Sequence, residues 1–246
     1  MKEKMRLDLL VGECYPHLSR SFIQSVIMRG MVTVNGVVQV KSGSQVTRND
    51  RIEVHDDSLR YVSRAGYKLE AALDIFALEV TGLVALDAGI STGGFTDCLL
   101  QKGVARVYGV DVGSQYLVHE RVRQDERVII MEKTNIRYLE FFGELVDLVT
   151  LDLSFISVLK VLPAVHKLVK EKGKIIVLIK PQFEASPALV PRGGVIKDPV
   201  IHEEIVHQVK QGFSDYGYSC HGIIHSPIKG AKGNQEFLGY FIKEPS

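Results

Sequence analysis

The 246-residue sequence has no tryptophan, only three cysteines and almost no net charge. Cys14, Cys98 and Cys220 are odd in number and widely spaced, and they form neither a C-x-x-C pair nor a disulfide framework, which points to a reducing compartment. No apolar run approaches the roughly 20 residues needed to cross a bilayer. The opening MKEKMRLDLL also lacks the apolar core of a signal peptide. These absences predict a soluble cytoplasmic protein. A net charge of +1 provides no global attraction to nucleic acid, so any such role must rest on local patches. The hydrophobic fraction, 46%, is enough for an ample core.

Two regions of different pattern follow one another. Within the first, Ser19 is placed to N-cap a helix whose apolar face is Phe22, Ile23, Val26 and Ile27, and Gly30 stands where a left-handed C-terminal residue belongs. Val32 and Val34 alternate with polar residues up to Asn35-Gly36, a type I′ hairpin signal, and RIEV after Asp50 reads as a further strand. HDDSLRYVSRAGYKL, residues 55 to 69, breaks the periodicity. The expected division is a domain over 1–58, a linker over 59–64 and a second domain over 65–246.

From Leu83 short apolar strands alternate with helical stretches: LVALDA, a helix from Gly94, RVYGVDV, a helix near 117, RVIIME, VDLVTLD, a helix near 158–170 and KIIVLIK, with CHGIIHSPI and EFLGYFI as two final strands. That alternation predicts an α/β domain with a mostly parallel sheet, helices on both faces and ligands at the carboxyl ends of its strands.

The turn after the first of these strands, LDAGISTGGFTD at 86–97, fits several motifs. A phosphate-cradling P-loop fails because Phe95 stands where lysine is required. A dinucleotide G-x-G-x-x-G fails because Ser91 replaces the second glycine. The G-x-S-x-G elbow of α/β-hydrolases would make Ser91 a nucleophile, with a histidine from among His166, His202, His207, His221 and His225. That elbow normally follows several strands, whereas LVALDA opens its domain, and none of the histidines has a local signature. S-adenosylmethionine fits the features together. Asp87 ends the first strand and the glycine turn allows close backbone approach. Asp111 ends the second strand, where a carboxylate can take ribose hydroxyls, and Asn135 falls after the third, where adenine would lie.

RLD at 6–8, SRS at 19–21, IMRGMVTVNG at 27–36 and NDRIEV at 49–54 resemble the small S-four RNA-binding module. LDAGISTGGFTDCLLQKG, YGVDVG, RQDERV, EKTNIRYL, LVTLDLSFIS, LIKPQFE and RGGVIKDP resemble the TlyA-type (hemolysin A) RNA methyltransferases, whose catalytic domain is FtsJ-like and Rossmann-like. The resemblance implies methyl transfer from S-adenosylmethionine to a ribose 2′-hydroxyl of ribosomal RNA, with naked rRNA or an assembled subunit as the substrate. It implies a catalytic tetrad of Lys68, Asp152, Lys180 and Glu236. Cofactor contacts would come from Gly89, Ser91, Gly93, Gly94, Phe95, Asp111, Val112 and Asn135. RNA phosphates would be met by Arg6, Arg20, Arg29, Lys41, Arg60 and Arg64. Lys180 would be the base or would position the hydroxyl.

The sequence departs from the family pattern at Ile90, where alanine is usual, and at Tyr61, where the linker usually has tryptophan. HEEIVH at 202–207 looks like a zinc-protease motif, but its histidines are five apart and diverge by about 140° on a helix, so no metal site is expected. Two readings of other classes are an RNA-binding assembly factor without catalysis and a membrane-lytic protein, and the second lacks any segment that would insert.

Overall fold

The computed structural model describes residues 4–15, 18–54, 60–141 and 143–245. The chain divides into two compact units, Met1–Arg60 and Tyr61–Ser246. The boundary expected near Ser58 lies outside the described residues, and residues 61–64 group with the second unit.

The first unit contains strand β1 (Lys4–Arg6), helices α1 (Leu7–Cys14) and α2 (Arg20–Met28), and strands β2 (Val32–Val34), β3 (Val37–Gln39), β4 (Gln45–Thr47) and β5 (Ile52–Val54). Ser19 caps α2 by accepting the Phe22 amide, and Gly30 adopts φ 73°. Asn35 and Gly36 take φ 52° and 80° to close the β2–β3 hairpin, which pairs Val34 with Val37. Strand β5 completes this sheet on the other side of β2, while β1 pairs with β4 in a separate ribbon that the sequence pattern does not predict. Leu7, Leu10, Val11, Ile23, Val26, Ile27, Val32 and Val46 form the core of this unit.

The second unit opens with α3 (Ala65–Ile75) and then alternates β6 (Val84–Ala88), α4 (Gly94–Gln101), β7 (Arg106–Val110), α5 (Glu120–Arg123), β8 (Val128–Met131), β9 (Val146–Leu151), α6 (Leu162–Leu168), β10 (Val169–Ile179), α7 (Pro181–Glu184), α8 (Pro199–Asp215), β11 (Tyr218–His225) and β12 (Phe237–Lys243). The seven strands lie in the order β11-β12-β10-β9-β6-β7-β8. Strands β10, β9, β6, β7 and β8 run parallel, and β12 pairs antiparallel with both β10 and β11.

Period-two alternation sends the strand residues to opposite faces. Leu86, Val149, Ile175, Val177 and Phe241 pack with Leu162 and Val165 of α6 and with Ile205, Val209 and Phe213 of α8. Ala85, Val107, Leu148, Ile176 and Leu238 pack with Leu69, Leu73, Leu99 and Leu100 of α3 and α4. The sheet is therefore covered on both sides.

In the second unit the structure departs from the sequence expectations in three places. The helix near 117 is a single 3₁₀ turn, Gln115–Leu117, followed by the short α5. The helix expected to reach residue 170 ends at Leu168, and β10 starts at once, with a register shift between Val169 and Lys174. Helix α8, absent from the expected strand–helix alternation, is the longest helix among the described residues. Its signals are an Asp198 side chain accepting the Val200 amide at 2.9 Å, Pro199 in the first turn, and buried Ile205, Val209 and Phe213 four residues apart.

Candidate functional site

The chain lays down β6, β7 and β8 in one direction, then returns to place β9 on the other side of β6. Such a reversal opens a crevice outside the carboxyl ends of the two central strands. Here those ends carry Gly89 and Asp152. Gly89 has φ 88°, and a Cβ on it would come within 2.6 Å of the Asp152 carbonyl oxygen, so only glycine fits where the two loops touch. The Asp152 amide donates to the Ala88 carbonyl at 3.1 Å, fixing one loop against the other.

A cavity of about 450 Å³ fills the crevice, within the range usual for small-molecule sites. Five of the expected cofactor residues line it: Gly89, Ser91, Asp111, Val112 and Asn135. The carboxylate of Asp111 accepts the Ser91 amide at 2.9 Å and the Gly113 amide at 2.8 Å, which holds it at the cavity wall with further lone pairs to offer. Asn135 spends its side-chain oxygen on the Arg137 amide at 3.0 Å, leaving its amide donors for a ligand.

The other three expected residues lie elsewhere. Gly93 begins α4 with φ 92° against Val122, Gly94 abuts Ser63 and α3, and Phe95 is buried in the core. Ile90, expected beside the cofactor turn, points its side chain inward instead. It packs with Val118 and Val122 and fills the space over Gly109, so the larger residue does not enter the cavity. Tyr61 is also buried, edge-on to Tyr67 with ring centres 4.9 Å apart, and its hydroxyl donates to Glu70 at 3.1 Å.

The four tetrad candidates form two ion pairs. Lys180, directly after β10, reaches Asp152 at 2.7 Å and donates to the Ser154 hydroxyl at 3.1 Å. Lys68, on α3, reaches Glu236 at 2.5 Å. Strand register relates the pairs: Ile179 lies opposite Phe237, so Lys180 and Glu236 are the next positions at the same end of β10 and β12.

Sequence reasoning misses several groups at this edge. Ser154 holds Lys180, and Thr134, Leu153, Phe155 and Ile156 help line the cavity. Phe155 is 90% exposed at φ 64°, with its ring centre 5.1 Å from that of Phe183. Glu184, in the LIKPQFE stretch, accepts the Ser157 hydroxyl at 2.6 Å and the Val158 amide at 2.9 Å, tying the segment after Lys180 to the loop after Asp152. Burial pushes its carboxyl above the ordinary range. The signal for these residues is their closeness in sequence to Asn135, Asp152 and Lys180.

The hydrolase arrangement does not assemble. Among the described residues none of the five histidines is hydrogen-bonded to Ser91. His166 lies edge-on to Tyr216 and Tyr218, His202 meets the Ile196 carbonyl at 3.1 Å, and His221 meets Ser219. No group of three or more metal-ligating side chains occurs among the described residues, and no helix there is long and apolar enough to cross a membrane.

The RNA-facing candidates are placed as follows. Arg6 is held by Asp8 through two hydrogen bonds of 2.9 Å, while Arg20, Arg29, Lys41 and Arg60 are exposed in the first unit and Arg64 is exposed in the second.

Comparison with known proteins gives the family of the chain. A family model described as FtsJ-like methyltransferase matches residues 61–243. Hemolysin A of Brachyspira hyodysenteriae is 42% identical over 242 residues, covering 97% of this chain and 100% of that one. The 16S/23S rRNA (cytidine-2'-O)-methyltransferase TlyA of Mycobacterium tuberculosis is 41% identical over 223 residues, covering 89% of this chain and 83% of its own. A chain from Streptococcus thermophilus, solved under the name of a hemolysin, is 38% identical with a TM-score of 0.76, covering 100% of this chain and 90% of that one.

Proposed function

The chain belongs to the FtsJ-like methyltransferase family, and from that premise we propose that it transfers a methyl group from S-adenosylmethionine to a ribose 2′-hydroxyl of ribosomal RNA, at a cytidine. The observation that carries the reading is Lys180, held by Asp152 and Ser154 beside the cavity that the Gly89 turn and Asp111 enclose. Relatives named as rRNA methyltransferases support rRNA, free or in a subunit, as the partner, and the cytoplasm as the place of action.

The residues present fit the cofactor. Gly89 brings bare backbone to the cavity wall, Asp111 a carboxylate suited to ribose hydroxyls, Val112 an apolar face and Asn135 amide donors for adenine. Bound S-adenosylmethionine supplies an electrophilic sulfonium methyl.

Lys180 is placed to hold the 2′-hydroxyl for attack on the methyl that bound S-adenosylmethionine would supply, and the hydroxyl proton would leave to Lys180 or to water. The Asp152 carboxylate 2.7 Å away fixes where the Lys180 nitrogen stands, either to take the hydroxyl proton or to position the hydroxyl oxygen, and the pH–rate profile separates the two roles. Glu236 orients Lys68 at the far side of the same edge. The first unit is the RNA-docking module in this reading, with Arg20, Arg29, Lys41 and Arg60 on phosphates and Arg6 braced by Asp8, and Arg64 of the second unit also meets a phosphate.

The test is tritiated methyl transfer to ribosomal subunits from a strain lacking the modification. Alkali-resistant label at one linkage, lost in Lys180→Ala, is the expected result. RNA binding without transfer would instead make the chain a non-catalytic assembly factor.

A further inference from the structure

Two loops beside Glu236 have no part in the chemistry above. One is residues 192–197, RGGVIK, and the other is residues 229–233, KGAKG. Asn234, only 2% exposed, joins them. Its side-chain nitrogen donates to the Gly194 carbonyl at 2.8 Å, its side-chain oxygen accepts the Ile196 amide at 3.1 Å, and its own carbonyl accepts the Gly230 amide at 2.9 Å. The loops therefore form one platform. Glu236, two residues on, rests its carboxylate against the α-carbon of Gly230, so the platform adjoins the tetrad.

The outer face of the platform combines bare backbone with positive charge. Among the described residues no atom lies within 4 Å of where a Cβ would stand on Gly193, Gly194 or Gly233. Arg192, Lys197, Lys229 and Lys232 are all exposed, and neither loop contains an acidic residue. The nearest acid in sequence to the first loop, Asp198, is engaged by the Val200 amide at 2.9 Å. The two loops that Asn234 joins thus carry four exposed cations and no acid, a positive potential that favours an anionic partner.

We propose that this platform binds the RNA sugar–phosphate backbone next to the reacting ribose. The inference rests on the 2′-O-methyltransferase reading and adds to it a phosphate-binding surface on the catalytic unit itself. An open surface with spaced cations and uncovered backbone suits a polyanionic chain, which is held through its phosphates without regard to base identity.

The test uses the full chain with Arg192, Lys197, Lys229 and Lys232 changed to glutamine, in loop pairs and all together. Binding to unmodified ribosomal subunits and to free rRNA is measured over a range of salt, alongside kcat, KM and S-adenosylmethionine affinity. The fourfold variant should raise KM for RNA by about tenfold or more. It should flatten the slope of log affinity against log salt by roughly 0.7–0.9 for each phosphate that is no longer neutralised, with kcat and cofactor affinity little changed. An unchanged KM and salt slope would overturn the proposal. So would a fall in kcat alone, because the loops would then serve only to place Glu236. Wild-type binding to rRNA without methyl transfer would remove the activity reading, and the slope comparison would still decide the platform.

Discussion

Lys68 and Glu236 close a nearly buried ion pair of 2.5 Å, with 11% and 3% of their side chains exposed. Removing one partner strands the other charge, which costs about 3–5 kcal/mol for buried pairs. Glu236→Ala should therefore lower both unfolding free energy and methyl transfer. Replacing both residues together, Lys68→Met with Glu236→Leu, should recover much of the stability but none of the transfer. Urea denaturation with parallel tritium assays checks this, and equal stability losses in the single and double variants would contradict it.

Lys180 should behave differently, since its partner Asp152 sits at a more open edge and its proposed role is toward substrate. Lys180→Ala is expected to cut transfer by about 10²–10⁴-fold, the span usual for a group acting on the transferred proton or its oxygen. S-adenosylmethionine affinity by calorimetry should stay within about threefold, because Lys180 does not line the cavity proposed to hold it. A loss of cofactor binding as large as the loss of rate would show that Lys180 serves the cavity instead.

At the glycine turn the proposed cofactor site is built from backbone. Ser91 gives Asp111 its amide, not its hydroxyl, so Ser91→Ala should leave transfer within about threefold. A loss of about 10³-fold would restore the nucleophile reading. By contrast, Gly89→Ala puts a methyl group against the Asp152 carbonyl at a left-handed φ, and should reduce cofactor affinity and rate together by about tenfold or more.

Asp87 makes stability depend on pH. Its carboxylate is buried at the end of β6, where burial pushes its pKa from 3.8 to about 6, while the hydroxyls of Thr96 at 2.6 Å and Thr150 at 2.9 Å pull the other way. Between these two values the folded state holds a proton that the unfolded state has lost, so stability falls as pH rises through this window and levels off above it. Wild type should lose about 2 kcal/mol from this group between about pH 4.5 and 7.5, and Asp87→Asn should lack that component. Denaturant titrations at the two pH values decide it, and parallel curves for the two proteins would refute it.

Local physics makes part of this molecule legible from its residues alone. Asn35-Gly36 marks a hairpin, Ser19 a helix start, and short apolar runs the strands that carry Asp87, Asp111 and Asp152. Each signal lies within a few residues of its effect. The pairing of Lys68 with Glu236 and of Lys180 with Asp152 is not legible, because it depends on α3 packing against β12 and on β9 lying beside β10, which no local pattern encodes. The ribbon between β1 and β4 escapes for a related reason: three-residue strands are too short to show alternation. Helix α8 does carry readable signals, the Asp198-Pro199 start and buried apolar residues four apart, and only the expectation of further strands after KIIVLIK obscures them.

Strand β12 is synthesised after every other strand described, yet it is inserted between β10 and β11. It also brings Glu236 to Lys68 across 168 residues of chain. A ribosome making this protein therefore releases the cofactor turn, Asp152 and Lys180 well before the residue that completes their edge. Contacts of such long sequence separation form late and slowly. A nascent chain stalled short of Glu236 would hold the crevice without the partner of Lys68, and under the proposed mechanism would be inert toward the ribosome that is producing it.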